Sequence, residues 1–188
     1  PARVLTQAQR EQYFEQGYVG VESLVPQDVL AEVQAVTDAF MDASRQETES
    51  GNTFDIGPGH GPESPVLRRL KRPDEQHETY WKFAQGIIAD VAADLVGPNV
   101  VFHHSKLNFK WFDESDTVKW HQDIQFFPHT NYNVLTIGCY LADTDMQNGP
   151  LAVKPGSHNQ PLFDQYDKGG NWTGMLSDED AATIDMSD

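Results

Sequence analysis

Apolar residues recur at steps of three and four before Pro98 and at steps of two after it, so the pattern predicts helices first and strands afterwards. Thr6 followed by Gln9 reads as a capping box that opens a first helix, and Gly17 reads as the residue that ends it. A short strand is expected over Tyr18 to Val21. Pro26 suits the first turn of a second helix, on which Val29, Val33, Val36 and Phe40, with Leu30 and Thr37 beside them, form one buried stripe. Residues 46–65 carry seven Gly or Pro and no period, and they read as a loop and a candidate lid. A third helix is predicted from about Glu75 to Val96, stopped by Gly97-Pro98. Beyond it, Val101–Lys110, Val118–Phe127, Val134–Ala142 and Leu151–Val153 read as strands, with a polar turn at 113–117. The fold class predicted is α+β: N-terminal helices over about 1–98, then a small barrel or sandwich over about 99–188, in one domain.

Composition narrows the function. The 188 residues hold 13 Lys and Arg against 29 Asp and Glu, a formal net charge of −16. Such a chain is repelled by nucleic acid and by anionic membranes, so neither is expected as a partner. Cys139 is the only cysteine, which excludes a disulfide framework or a Cys-rich zinc module, and its apolar strand predicts an inert thiol. No apolar run is long enough to span a bilayer, and the first residues do not resemble a signal peptide, so a cytoplasmic location is expected.

The chemistry centres on Trp120-His121-Gln122-Asp123. On a strand, His121 and Asp123 share a face, and an imidazole and a carboxylate so placed can hold one metal ion, as two-thirds of a 2-His-1-carboxylate triad. The spacing alone also describes a surface His and Asp. Asn108 and Lys110 share a face of the preceding segment and could offer an amide and a cation to an anionic co-substrate. Trp111, Phe112, Trp120, Phe126 and Phe127 either shield such a centre or build core. His104 shares the Asn108 face as a candidate pocket residue. His158, in Pro155-Gly156-Ser157-His158, caps backbone or lines a pocket mouth, ahead of a third reading as the missing second histidine ligand. Arg68-Arg69-Leu70-Lys71-Arg72 inverts the charge locally; pairing with the acidic surface is the first reading and an anionic ligand the second.

Three blocks resemble the phytanoyl-CoA dioxygenase family, which includes ectoine hydroxylase: Ser105 to Lys110, Trp120 to Asp123, and Asn148 to His158. Glu15-Gln16-Gly17-Tyr18-Val19 also resembles the family's opening. The resemblance implies a double-stranded β-helix (a jelly roll) binding Fe(II) and 2-oxoglutarate. It further implies an oxygenase that uses O₂ to hydroxylate an unactivated C–H of a small polar or anionic substrate, releasing succinate and CO₂. In it His121 and Asp123 would be iron ligands and catalytic residues. Asn108 would touch 2-oxoglutarate, and the carboxylate of Asp123 points to a hydroxylase rather than a halogenase. The family's third ligand is a distal His, followed by an Arg that grips 2-oxoglutarate. No His follows His158 and no Arg follows Arg72, so the expected jelly roll lacks its C-terminal strands and the chain is read as incomplete. A non-catalytic jelly-roll binding domain and another cupin-type metal enzyme stay open as alternatives.

Overall fold

The computed structural model describes residues 2–111 and 118–184. Phe112 and the predicted turn at 113–117 lie outside them. The chain gathers into two compact units, one of Pro1–Val4, Val21–Asp116 and Gly138–Pro150, the other of Leu5–Gly20, Thr117–Ile137 and Leu151–Asp188.

The first unit is a helix-backed sheet. Helix α2 (Gln27–Ser44) starts one residue after Pro26 and buries Val33, Thr37 and Ser44, as its stripe predicts. Strands β1 (Phe54–Ile56), β2 (Leu67–Lys71) and β3 (Lys106–Asn108) form an antiparallel sheet in the order β1-β2-β3. Leu67 and Leu70 have no exposed surface and pack with Val33, Phe54 and Tyr80, while Val36, Phe40, Leu107 and Phe109 close the margin. The Tyr80 hydroxyl lies 2.9 Å from Thr37 Oγ1, so the one polar atom brought in by that ring has a partner.

Two expectations change in this unit. The 46–65 segment is not all loop, because Phe54–Ile56 is a strand. The segment is also tied down: Val66 N donates to His60 Nδ1 at 2.9 Å, the opposite ring nitrogen meets Ser44 O at 2.8 Å, and Arg45 reaches Pro62 O at 2.7 Å. The long third helix is broken into α3 (Pro73–Gln76), α4 (Glu78–Phe83), a π turn (Ala84–Ile88) and α5 (Ala89–Val96). His77 is extended between α3 and α4, where its side chain caps Thr79 N, and Gly86 leaves helical backbone geometry at ψ −131°.

The second unit begins with α1 (Gln7–Gln16). Its capping box is present: Thr6 Oγ1 accepts from Gln9 N, and the Gln9 side chain accepts from Thr6 N. Gly17 closes α1 in left-handed geometry at φ +84°. The unit ends with the short helix α6 (Asp178–Ala181), capped by Ser177. Among the described residues no ladder forms over 18–21, 118–127, 134–142 or 151–153. Alternation of exposure nevertheless persists from Leu135 to Tyr140. Extended backbone becomes a sheet only when a partner takes its N–H and C=O groups, and β2 provides this for 106–108 alone. The result is an incompletely closed antiparallel sheet with flanking helices, a partial double-stranded β-helix core.

Leu70→Ala should cost about 2–5 kcal/mol, because a cavity would open between the sheet and α2. Urea unfolding with an unchanged m-value checks it.

Candidate functional site

In the second unit the chain from Lys119 to Gln125 is held at successive atoms by the segment that follows Pro161. Leu176 N donates to Trp120 O at 2.8 Å. Phe163 N donates to Gln122 Oε1 at 2.8 Å, and Gln122 Nε2 donates to Pro161 O at 3.2 Å. Gln125 Nε2 reaches Phe163 O at 2.8 Å. The fully buried Gln165 offers Nε2 to Gln122 O at 3.5 Å, the carbonyl between His121 and Asp123. Gln122, Gln125 and Gln165 therefore brace this backbone, a role the sequence reading missed. A glutamine carries no recognisable chemistry, and its partners lie about forty positions away.

His121 and Asp123 do not lie on a strand, because Asp123–Gln125 is a 3₁₀ turn. They still converge: His121 Nε2 is 3.2 Å from Asp123 Oδ1. The far side of each is engaged. His121 Nδ1 lies 2.9 Å from Lys119 O and donates to it, and Thr136 Oγ1 donates to Asp123 Oδ2 at 2.8 Å. The imidazole is one-quarter exposed and the carboxylate about half. Phe126 stands edge-on to His121 at 5.6 Å between ring centroids and also meets Trp172 at 5.4 Å. Phe127 lies tilted against Phe126 at 6.3 Å. Trp120 enters this network through its carbonyl.

The Trp172 ring is placed by a tight turn. Asp167 Oδ1 accepts from Gly169 N and Asn171 N, both at 2.8 Å, and Oδ2 accepts from Asn171 Nδ2 at 3.0 Å. These bonds, led by the Asn171 side chain, hold the Asp167 carboxyl below the usual carboxylate range. Gly174, at φ +66°, brings the backbone so close to Phe126 that a Cβ there would lie 2.8 Å from the ring.

His158 sits in the second unit against α1. Its Nε2 is 3.2 Å from Phe14 O, and its ring covers Gly17 so closely that a Cβ would lie 2.3 Å from Nδ1. It thus meets a carbonyl in the last turn of α1.

Asn108 and Lys110 belong to the first unit. Asn108 Oδ1 accepts from Arg69 Nε at 3.0 Å, and Lys110 is exposed beside Gly149. Trp111 donates to Leu67 O at 2.7 Å, a core role. His104 is 2.7 Å from His103, Nδ1 to Nδ1, and its pKa is pushed down by burial, by His103 and by Lys106. Burial pushes the Cys139 thiol pKa up, away from the thiolate form. Among the described residues no group of three or more His, Cys, Asp or Glu side chains could hold a metal, and no helix is long and apolar enough to cross a membrane.

Gly174→Ala should destabilise the fold by roughly 1–3 kcal/mol through its positive φ and the Phe126 contact. It should also shift the His121 ring protons as Phe126 moves, which proton NMR reads. The Asp167 turn makes a separate prediction with a definite sign. A carboxyl depressed in the folded state stabilises it above the unfolded pKa, and that contribution is lost as pH falls through the folded value. Amide exchange at Gly169 and Asn171 should therefore accelerate, relative to other protected amides, as acid protonates Asp167.

Comparison with known proteins places the chain in a lineage. The chain is 29% identical over 157 residues to a protein of Stutzerimonas stutzeri named as a probable alpha-ketoglutarate-dependent hypophosphite dioxygenase, covering 83% of this chain and 54% of that one. It is 30% identical over 161 residues to an ectoine dioxygenase of Sphingopyxis alaskensis, covering 78% and 47%. It is 28% identical over 169 residues to the peroxisomal phytanoyl-CoA dioxygenase of Rattus norvegicus, covering 85% and 49%. The chain thus spans about half the length of the curated relatives it matches. A crystal structure of EctD from S. alaskensis with bound Fe shares the fold at a TM-score of 0.54 and 23% identity, over 65% of this chain and 42% of that one. Residues 13–186 match the family described as Phytanoyl-CoA dioxygenase (PhyH), and the chain belongs to that family.

Proposed function

We propose that this chain carries part of the active site of an Fe(II)- and 2-oxoglutarate-dependent dioxygenase that hydroxylates a small polar or anionic substrate. The observation that supports it most is the approach of His121 Nε2 to Asp123 Oδ1 at 3.2 Å. Two ligand atoms about 2.1 Å from an octahedral ion and at right angles lie about 3.0 Å apart, so the pair fits adjacent corners of such a site. The outer contacts fit as well. A histidine that donates its Nδ1–H to Lys119 O turns the Nε2 lone pair toward a cation, and a carboxylate braced by Thr136 keeps Oδ1 aimed at the same point.

In this reading His121 and Asp123 are the catalytic metal ligands, and a third protein ligand comes from outside the described residues. Iron, when bound, supplies the oxidation of an unactivated C–H at the expense of O₂ and 2-oxoglutarate. The protein's own work is positional. Gln122, Gln125 and Gln165 fix the backbone that carries the two ligands. Phe126 covers one edge of the imidazole, with Phe127 packed against it. Asn108 and Lys110 are proposed to meet the 2-oxoglutarate carboxylate, the amide by hydrogen bonding and the ammonium by charge. A small anionic substrate agrees with the hypophosphite named for one relative.

Anaerobic titration with Fe(II) and then 2-oxoglutarate tests the reading. A weak visible absorption band that needs both is the expected result. Asp123→Ala should lower iron affinity roughly a hundredfold or more and abolish the band. Undiminished iron affinity in Asp123→Ala would sink the ligand assignment. Iron binding that is indifferent to 2-oxoglutarate would favour a different cupin-type metal enzyme, and no iron binding at all a ligand-binding domain.

A further inference from the structure

Phe126, Tyr166 and Trp172 form a row of rings open to solvent, and the oxygenase reading uses only its inner end. Tyr166 and Trp172 face each other across an isolated antiparallel bridge, so both side chains leave the backbone on one side. Their ring centroids are 5.3 Å apart with the planes at 68°, and Phe126 continues the row at 5.4 Å and 76° from Trp172. Phe126 is 42% exposed, Tyr166 54% and Trp172 41%. Single exposed rings are ordinary, but three in contact leave apolar surface that a ligand gains by covering.

The hairpin that carries Tyr166 and Trp172 is rigid. Gln165 O accepts from Thr173 N at 2.9 Å and from Thr173 Oγ1 at 2.8 Å, and Asp167 N donates to Asn171 O at 2.9 Å. With the side-chain bonds of Asp167 these contacts hold the rings in place before any ligand arrives, which lowers the entropy cost of binding.

Charge decides which ligand suits the row. The face of an aromatic ring is the negative end of its quadrupole and attracts cations. Two carboxylates flank Tyr166 in sequence. Asp164 Oδ1 accepts from Tyr166 N at 3.0 Å, and the turn keeps the Asp167 carboxyl below the usual carboxylate range. Among the described residues neither makes an ion pair, and Lys168, the cation of this turn, makes neither an ion pair nor a ring contact. A net charge of −16 also concentrates cations around the chain. A primary ammonium is strongly hydrated and gains little from a ring, whereas methyl groups on the nitrogen bring apolar surface together with the charge.

We infer that Tyr166 and Trp172, with Phe126 beside them and the carboxylates of Asp164 and Asp167 adding charge, form a binding site for a small methylated ammonium ion. The inference goes beyond the oxygenase reading and needs neither iron nor 2-oxoglutarate.

The test is NMR titration of the metal-free 188-residue chain at low ionic strength with choline, and with its uncharged isostere in which carbon replaces the quaternary nitrogen. Choline is expected to saturate one site, to shift the Tyr166 and Trp172 ring protons, and to bind roughly fivefold more tightly than the isostere. Y166L keeps apolar bulk but loses the ring, and should weaken choline roughly fivefold while Y166F retains it. D164N should weaken choline and leave the isostere unchanged. F102L alters the other exposed aromatic pair, Trp81 and Phe102 in the first unit, and should leave choline binding unchanged. The inference is overturned by absence of saturable choline binding, by equal affinity for the isostere, or by an equal loss in F102L. Each of these leaves the iron assignment to stand or fall on the Asp123→Ala titration.

Discussion

The first unit depends on the burial of Leu67 and Leu70 against Val33 and Tyr80, because this contact decides which way every other side chain of the sheet must point. A strand that commits one face to a core commits the other to solvent. With Leu70 and Leu107 turned toward the helices, Arg69, Lys71, Lys106 and Asn108 have no alternative to the opposite face. Burial of each leucine contributes about 1.5–3 kcal/mol, more than the fractions of a kcal/mol that a like-charge lysine pair costs. The hydrophobic term therefore sets the register, and the lysines are brought together as its consequence.

The second unit solves a different problem. Its chain from Lys119 to Gln125 makes no ladder, yet it holds two side-chain atoms 3.2 Å apart. The bracing comes from amide side chains and backbone donors of the 161–176 segment rather than from a sheet. Individually such bonds contribute about 1 kcal/mol. Their value here is geometric, since with Leu176 N they fix the Trp120 carbonyl that precedes His121 and the Gln122 carbonyl that precedes Asp123. The Asp167 turn extends the bracing through Trp172 and Phe126 to the imidazole edge.

Where the sequence was legible, a local rule sufficed. The Thr6–Gln9 capping box, Gly17 and the Val33 stripe depend only on residues a turn apart, and each forms as its pattern predicts. Strands β1 and β2 were not legible. Leu67 and Leu70 stand three positions apart, a helical spacing, and the irregularity at Asp55/Ile56 breaks the alternation that would have marked β1. The opposite error occurred over 118–127 and 134–142, where alternation was clear and no partner strand meets it among the described residues. The convergence of His121 with Asp123 followed from their spacing, although through a 3₁₀ turn. Thr136, Gln165 and the Arg69–Asn108 bond are joined by tertiary structure alone, at separations of 13 to 43 positions.

That last bond changes how the charge of the chain should be understood. A net charge of −16 read as one number argues against nucleic acid and anionic membranes. The field that a small ion meets is local, however, because charges more than about 8–10 Å away are screened at physiological ionic strength. On the outer sheet face Arg69, Lys71 and Lys106 lie close together, with Asp55 3.9 Å from Arg69. A small anion would sample mainly those groups, whereas a polymer many screening lengths long would meet the acidic remainder as well.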